Sequence, residues 1–218
     1  MDSKTLGTQS QENGQQSSQS ESQTETSDTS IETTEMIAGN VLTNSQDDIN
    51  WDLVKTEIEL INTSWSVIMY DLYKINNSDN TKLLEFSDIL DKCIISIKDE
   101  NKAESLANLG ELYAYIPLFT DMTSEDDNIK IVKETKSNII KAYVAAGNDD
   151  WSTVSSSLTN AEESFNTLFK DLEFAKNNEY KINKTYILLK ELQNSLNEQD
   201  KSIFYMKYIN LIESINTL

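Results

Sequence analysis

The chain of 218 residues has no histidine, and all 18 of its basic residues are lysine, so it has no arginine either. Without histidine there can be no Ser/His/Asp or Cys/His nucleophile pair and no imidazole metal ligand. Without arginine there can be no guanidinium fork for carboxylates or phosphates and no arginine finger. We therefore expect a non-enzymatic protein with no catalytic residues and no cofactor.

Cysteine, proline and glycine are also scarce. The single cysteine, Cys93, cannot form an internal disulfide, and its neighbours Leu90, Ile94 and Ile95 predict a buried position on a helix. A reactive thiol is the alternative. With one proline, Pro117, five glycines and scarcely any alternation of polar and apolar residues, the sequence predicts an all-α helical bundle.

Positive charge is outweighed by negative charge, and the formal net charge is −19. Such a chain repels nucleic acids and anionic membrane surfaces, so we expect no nucleic-acid partner. No apolar run approaches the roughly 18 residues that a membrane-spanning helix needs. Membrane contact would therefore require a lipid anchor outside the given sequence.

The first residues are rich in serine, glutamine, threonine and glutamate. Residues 1–45 cannot bury enough apolar surface to offset the entropy of ordering, so we predict a disordered tail or tether. Two interpretations stay open. The tail is either the arm of a cytosolic protein or the tether of an exported protein whose signal lies outside the given sequence.

The segments INWDLV at 49–54 and DDWSTV at 149–154 open two stretches with the same apolar pattern. Apolar residues recur at spacings of three and four from Trp51 to Leu72, and again from Trp151 to Leu172, which predicts amphipathic helices. Further matches at offsets of 99 or 100 continue towards the C-terminus. The pattern indicates internal duplication.

Two copies of a three-helix unit joined by a connecting helix are therefore the predicted architecture. The first helical repeat spans 46–120, a linker with the connecting helix spans 121–147, and the second repeat spans 148–218. The expected helices are 49–75, 80–98, 101–118, 129–146, 150–176, 180–197 and 200–216.

A few residues are expected to set the helix ends. Pro117 should end or kink the third helix, and Gly147 suits a left-handed position after the connecting helix. Asn50 and Asp150 are placed to cap the first helix of each repeat. The tryptophan that follows each cap is expected in the core.

Two segments, 103–119 and 203–215, are apolar on more than one side. A helix of this kind is expected to be buried on several faces. We therefore expect these helices to be central and to form much of the contact between the two copies. The alternative places one of them on a homodimer or partner surface.

Acidic residues could indicate a metal site, since carboxylate oxygens suit calcium. The segment 120–130 lacks the ligand spacing and central glycine of an EF-hand, so we expect helix caps and no metal site. The acidic clusters are Asp47-Asp48, Asp99-Glu100, Glu125-Asp126-Asp127 and Asp149-Asp150. Four glutamates fall away from the apolar seam and are expected on solvated faces: Glu57, Glu111, Glu162 and Glu163.

Aromatic residues are the candidate ligand-binding residues. Tyrosine suits a pocket because its ring packs while its hydroxyl finds a polar partner. The alternative is an ordinary core between helices, and the sequence identifies no protein or small-molecule partner. The residues that could line a pocket between the copies are Tyr113, Tyr115, Phe119, Phe204, Tyr205 and Tyr208.

The W-x-x-V pattern that opens each repeat, an aromatic residue fourteen positions later, and LYAYIP at 112–117 resemble uncharacterised helical lipoproteins of low-GC Gram-positive bacteria. The polar tail fits the tether of such proteins, although the sequence contains no lipobox. The resemblance implies a binding or structural module of the bacterial cell envelope, anchored at the extracytoplasmic side of the membrane, and no catalytic residue. The alternative is a cytosolic adaptor that docks partner helices.

Overall fold

The computed structural model describes residues 49–75, 80–124 and 126–218, all within one compact unit. The described residues form helices and turns without a strand, which confirms the all-α fold class. None of these helices has the length and apolar character needed to cross a membrane. The tail predicted at 1–45 lies outside the described residues.

The helices follow the predicted order, and two of the predicted helices are divided. The α-helices are α1 (Trp51–Lys74), α2 (Asn80–Lys98), α3 (Lys102–Tyr113), α4 (Tyr115–Thr123), α5 (Asp127–Gly147), α6 (Trp151–Asn166), α7 (Leu172–Asn177), α8 (Glu179–Asn194) and α9 (Lys201–Ile215). Two short 3₁₀ helices, Thr167–Lys170 and Ser195–Asn197, follow α6 and α8.

The first helix of each repeat has the expected side-chain cap. Asn50 Oδ1 accepts a hydrogen bond from the Leu53 backbone N–H at 3.1 Å. Asp150 Oδ1 accepts one from the Thr153 N–H at 3.0 Å. Each cap satisfies a donor that the first helical turn leaves without an intrahelical partner.

The third helix of each repeat also begins in the same way. Asn101 and Asp200 cap α3 and α9, and the residue before each cap, Glu100 or Gln199, has a left-handed φ of 56° or 48°. A positive φ is uncommon outside glycine, so its occurrence at an offset of 99 is informative. These matched conformations are consistent with the internal duplication, which stays a prediction.

Pro117 divides the expected third helix. The helix α3 ends at Tyr113, and α4 begins at Tyr115, so Pro117 lies in the first turn of α4. Proline has no N–H to donate to the carbonyl four residues earlier, here that of Tyr113, and its ring clashes with that carbonyl. In a first turn neither restriction applies, which explains where the helix restarts.

The helix expected at 150–176 is also divided. The Asp171 carboxylate accepts two backbone N–H groups of α7 at 3.1 and 3.0 Å and so starts a new helix. Leu172, predicted to lie in the apolar seam, is 80% exposed as a result. Its counterpart Leu72 is 4% exposed, because α1 continues through this position.

The connecting helix α5 ends in a Schellman motif whose left-handed residue is Asp149, with a φ of 58°. The Asp149 N–H donates to the Ala146 carbonyl at 3.2 Å, and the Asp150 N–H donates to the Ala145 carbonyl at 3.0 Å. Gly147, expected in the left-handed position, is instead the last residue of α5.

The buried side chains form two hydrophobic cores. The first core is built from α1 to α4 and contains Cys93, while the second is built mainly from α5, α6, α8 and α9 and contains Phe165. Trp51 and Trp151, expected in the core, are half-buried and pack against its edge. Phe165 and Phe204 are the fully buried aromatic residues of the second repeat.

The connecting helix α5 is central to the fold. It packs on α3, α4, α6 and α9, and its hairpin with α6 is the most extensive helix pairing among the described residues. The helices at 103–119 and 203–215 pack on α5 rather than extensively on each other, so the expected direct contact between them is corrected. Small residues of α5, Ala142, Ala145 and Ala146, are buried and allow its neighbours to approach closely.

Candidate functional site

The aromatic candidates divide between separate places. Phe119 lies 5.6 Å from Trp65 and Tyr115 lies 5.8 Å from Phe86, measured between ring centroids in the first core. Phe204 is fully buried in the second core. Tyr115 and Phe119 therefore pack α4 against α1 and α2 and do not join the remaining three candidates.

The other three candidates lie where α3, α5 and α9 meet. Tyr208 stacks on Tyr143 of α5 with ring centroids 4.5 Å apart, and Tyr205 lies 5.0 Å from the same ring. The Lys136 Nζ lies 5.6 Å from the ring centroid of Tyr113. We call Tyr113, Tyr143, Tyr205 and Tyr208 the tyrosine cluster. All four are half-buried, so part of each side chain reaches solvent.

The tyrosine cluster is uncharged at neutral pH. Burial raises the pKa of Tyr113 to about 12 and, together with Tyr143 and Asp149, raises that of Tyr205 to about 12. Burial, followed by the neighbouring Tyr143 and Tyr113, raises the pKa of Tyr208 further. The cluster can therefore offer ring faces and neutral hydroxyls to a ligand, but no base or anionic nucleophile.

Tyr143 belongs to the cluster but is not among the aromatic candidates predicted from the sequence. Its spacing from Ile139 and Ile140 is that of an apolar helix seam, which gives a tyrosine no separate signal. A second overlooked residue is Gly110, where an added Cβ would lie 2.8 Å from Val144 Cγ2. The missing side chain lets α3 approach α5 closely and so helps to bring Tyr113 to the cluster.

Glu162 is half-buried, which corrects the expectation of a solvated position. Its carboxylate accepts hydrogen bonds from Lys190 at 3.0 Å, Gln193 at 2.8 Å and Tyr186 at 3.2 Å. Burial opposes ionisation, but the hydrogen bonds from Gln193 and Lys190, the Lys190 charge and the Tyr186 hydroxyl hold the pKa of Glu162 below its usual range. This network joins α6 to α8. The other three glutamates are exposed as expected: Glu57, Glu111 and Glu163.

The single cysteine and the acidic helix cap have structural rather than chemical roles. Cys93 is fully buried, and burial raises its pKa to about 12, so the thiol stays protonated at neutral pH. Asp126 caps α5 through the N–H groups of Asn128 and Ile129. Across 49–75, 80–124 and 126–218, no group of three or more cysteine, aspartate or glutamate side chains is placed to hold a metal ion. The acidic residues Asp47, Asp48 and Glu125 lie outside the described residues.

A second surface was not predicted from the sequence and lies on α1. We define the α1 outer face as the exposed aliphatic residues Leu53, Leu60, Ile61, Val67 and Ile68. Ile61 and Ile68 are 43% and 49% exposed, whereas their counterparts 100 residues later, Ala161 and Leu168, are fully buried. A contiguous exposed apolar patch of this kind is characteristic of an interaction surface.

The difference between α1 and α6 follows from their neighbours. Both helices pack through one side against the next long helix, as in the 2.8 Å hydrogen bond from Trp65 Nε1 to Ser87 Oγ. On α6 the inner residues of the adjacent side, Ser157 and Ala161, are buried beside α5, with which α6 forms the hairpin. On α1 the adjacent side is the α1 outer face. Its outermost residues correspond to polar ones in the second repeat: Thr153, Asn160 and Thr167.

No protein-family model, curated protein or solved structure matches the chain. Function is therefore inferred from the side chains and surfaces of the described residues. The α1 outer face and the tyrosine cluster are two surfaces of the described residues that a binding partner could reach.

Proposed function

We propose that the chain is a non-enzymatic helical module that binds another protein through the α1 outer face. The observation that carries this proposal is the exposure of five aliphatic side chains on one side of α1. Two of them, Ile61 and Ile68, correspond to the fully buried Ala161 and Leu168 beside α5. Leaving such a patch in water is unfavourable, and soluble monomers rarely keep a large one without a binding role.

The chemistry of the chain supports binding rather than catalysis. Histidine and arginine are missing from the sequence. The described groups with the most strongly shifted pKa values are Cys93 and tyrosines, and burial shifts them towards the neutral, less reactive form. A general base or nucleophile needs the opposite shift or a value near neutral pH.

We further propose that the tail at 1–45 tethers this module at the extracytoplasmic side of a bacterial membrane. The polar composition of the tail and the resemblance to helical lipoproteins support this location. The alternative is a cytosolic adaptor that docks partner helices with the same bundle. Protease treatment of intact cells distinguishes the two, since only an extracytoplasmic module is cleaved before the cells are lysed.

Site-specific photo-crosslinking tests the binding proposal. Ser64 is exposed on the same side of α1 as the outer face, and Asn183 is exposed on α8 and serves as the matched control. A photo-reactive amino acid in place of Ser64 is expected to give a discrete protein adduct in the native cells, and one in place of Asn183 is not. Equal adducts from both positions, or none from Ser64, would contradict the proposal.

The tyrosine cluster supports a second candidate function, the binding of a small aromatic or hydroxyl-bearing molecule. The stacking of Tyr208 on Tyr143 at 4.5 Å, with both rings half-buried, is the observation in its favour. A fragment screen followed by nuclear magnetic resonance is the test. Saturable binding that Tyr143→Ala removes would support a site. The lack of any saturable binding would mean that the cluster only packs the helices together.

A further inference from the structure

The α1 outer face has the length and pattern of a docking site for one helix. Leu53, Leu60 and Val67 recur every seven residues, and Ile61 and Ile68 form a second row beside them. Seven residues complete nearly two helical turns, so each row runs along the helix. From Leu53 to Ile68 the face extends for about 22 Å, which is about four turns of a partner helix.

The second repeat shows how another helix packs on the equivalent side of α6. There the equivalent side of α6 is covered by an antiparallel helix, α5, and carries small buried residues such as Ser157 and Ala161. The corresponding residues of α1 are the larger Glu57 and Ile61. A helix docked on α1 would therefore lie towards the wider end of the usual 8–10 Å range of axial distances.

Glu57 determines the charge of the partner. It lies one turn from Leu53 on one side and from Leu60 and Ile61 on the other, so a helix that covers these three residues also covers the Glu57 carboxylate. A carboxylate enclosed by apolar side chains is strongly unfavourable unless it is paired with a cation. Asp71 adds a second carboxylate to the same side, about 21 Å from Glu57 along the axis.

This requirement disfavours the two occupants that the chain itself could supply. Residues 5–48 contain no lysine or arginine, so they have no cation to place against Glu57. A second copy could bring its Lys74 to Glu57 in an antiparallel pairing, but the same register would place Asp71 against Leu60. A stable dimer also takes about 20–30 residues from each side, and two chains with a net charge of −19 repel each other.

We infer that the α1 outer face binds an amphipathic helix of another protein, with an aliphatic stripe flanked by lysine or arginine residues that pair with Glu57 and Asp71. This inference rests on the proposed function and names the class of partner. The mode is the docking of an amphipathic helix on an apolar surface, with the basic flanks providing specificity. A lipid surface is a poorer match, because Glu57 lies within the apolar patch.

Two synthetic helical peptides test the inference with the full chain. Both carry the same leucine and isoleucine stripe; one has lysine and the other glutamate on its flanks. Fluorescence anisotropy is expected to show that the wild-type protein binds the lysine peptide at least about tenfold more tightly. Leu60→Gln is expected to weaken that binding about tenfold, while circular dichroism shows an unchanged melting transition.

Charge reversal at two positions separates local pairing from net charge. Glu57→Lys is expected to reverse the preference between the peptides. Glu59→Lys changes the net charge equally but lies about 200° further around α1, so it should keep the preference for the lysine peptide.

Equal effects of the two reversals, equal binding of both peptides or binding of neither would overturn the inference. So would a dimer that Leu60→Gln dissociates in sedimentation equilibrium, or binding of neutral phosphatidylcholine vesicles that depends on Leu60. A discrete Ser64 adduct with a protein other than a second copy would still support the proposed function in each of these cases, so the two failures are distinguishable.

Discussion

A matched pair of core and surface substitutions at an offset of 100 residues tests whether the α1 outer face is free in the folded protein. Leu168→Ala removes three carbon atoms from a fully buried site. At about 0.8 kcal/mol for each carbon the lost transfer free energy is about 2.4 kcal/mol, and the remaining cavity raises the total to roughly 3–4 kcal/mol.

Ile68→Ala also removes three carbon atoms, but Ile68 is 49% exposed. About half of the transfer free energy, about 1.2 kcal/mol, is therefore at stake, and solvent fills the space that is left. The higher helix propensity of alanine returns about 0.4 kcal/mol. The expected loss in the free energy of unfolding is thus about 0.8 kcal/mol.

Urea unfolding of the full chain, followed by far-UV circular dichroism, measures both losses, and equal m values confirm that the same surface is exposed on unfolding. An equal loss for Ile68→Ala and Leu168→Ala would mean that Ile68 is buried in solution, so the α1 outer face would not be free. A loss that grows with protein concentration would identify a second copy as the cover.

Three further predictions concern packing and pH. Gly110→Ala should lower the free energy of unfolding by about 1 kcal/mol, because the clash with Val144 exceeds the gain in helix propensity. Adding Val144→Ala should relieve the clash, so additive changes in the free energy of unfolding in this double-mutant cycle would contradict the close contact. The pKa of Glu162 is lowered in the folded state, so its contribution to stability is present above the unfolded pKa and is lost as the pH falls through the folded pKa. Thermal unfolding at pH 7 and pH 3 should show a smaller acid-induced loss of stability for Glu162→Gln than for wild type. Equal losses would argue against the network. The pKa of Tyr113 is raised to about 12 and that of Tyr208 is also raised, so these tyrosines ionise first in the unfolded chain and stability should fall from about pH 10 upwards. The double variant Tyr113→Phe/Tyr208→Phe should reduce both this fall and the latest phase of the tyrosinate absorbance titration. Unchanged curves would contradict the burial of these hydroxyls.

Local signals predicted the helix ends well. The caps at Asn50 and Asp150 could be read from the sequence because a side-chain cap needs only its own backbone and the first turn. Pro117 likewise acts on a carbonyl four residues earlier, so its effect is local. Features of this kind account for most of the agreement between the predicted and observed helices.

Features set by tertiary contacts could not be read in the same way. Asp71 and Asp171 match in sequence, yet only Asp171 starts a new helix, and its carboxylate also accepts a hydrogen bond from Asn128 at 2.8 Å. The central position of α5 depends on small residues such as Ala142, whose contribution appears only with a partner helix in place.

The candidate site was predicted only in part for the same reason. Tyr113, Tyr205 and Tyr208 were among the candidates for one pocket, but Tyr143, which links the α9 tyrosines to α5, has the spacing of an apolar seam. The α1 outer face was missed because Ile61 and Ile68 have the spacing of core residues. The helix α5 covers Ala161 and Leu168, whereas no described helix covers the equivalent residues of α1. This difference in tertiary packing cannot be read from the spacing of apolar residues.

One variant tests most directly the claim that the α1 outer face serves binding rather than folding. Leu53→Gln/Leu60→Gln/Val67→Gln replaces three exposed residues by good helix formers. We expect a free energy of unfolding within about 0.5 kcal/mol of wild type, together with loss of the protein adduct formed from the photo-reactive residue at position 64. An adduct at wild-type yield, or a protein that no longer folds, would contradict this claim.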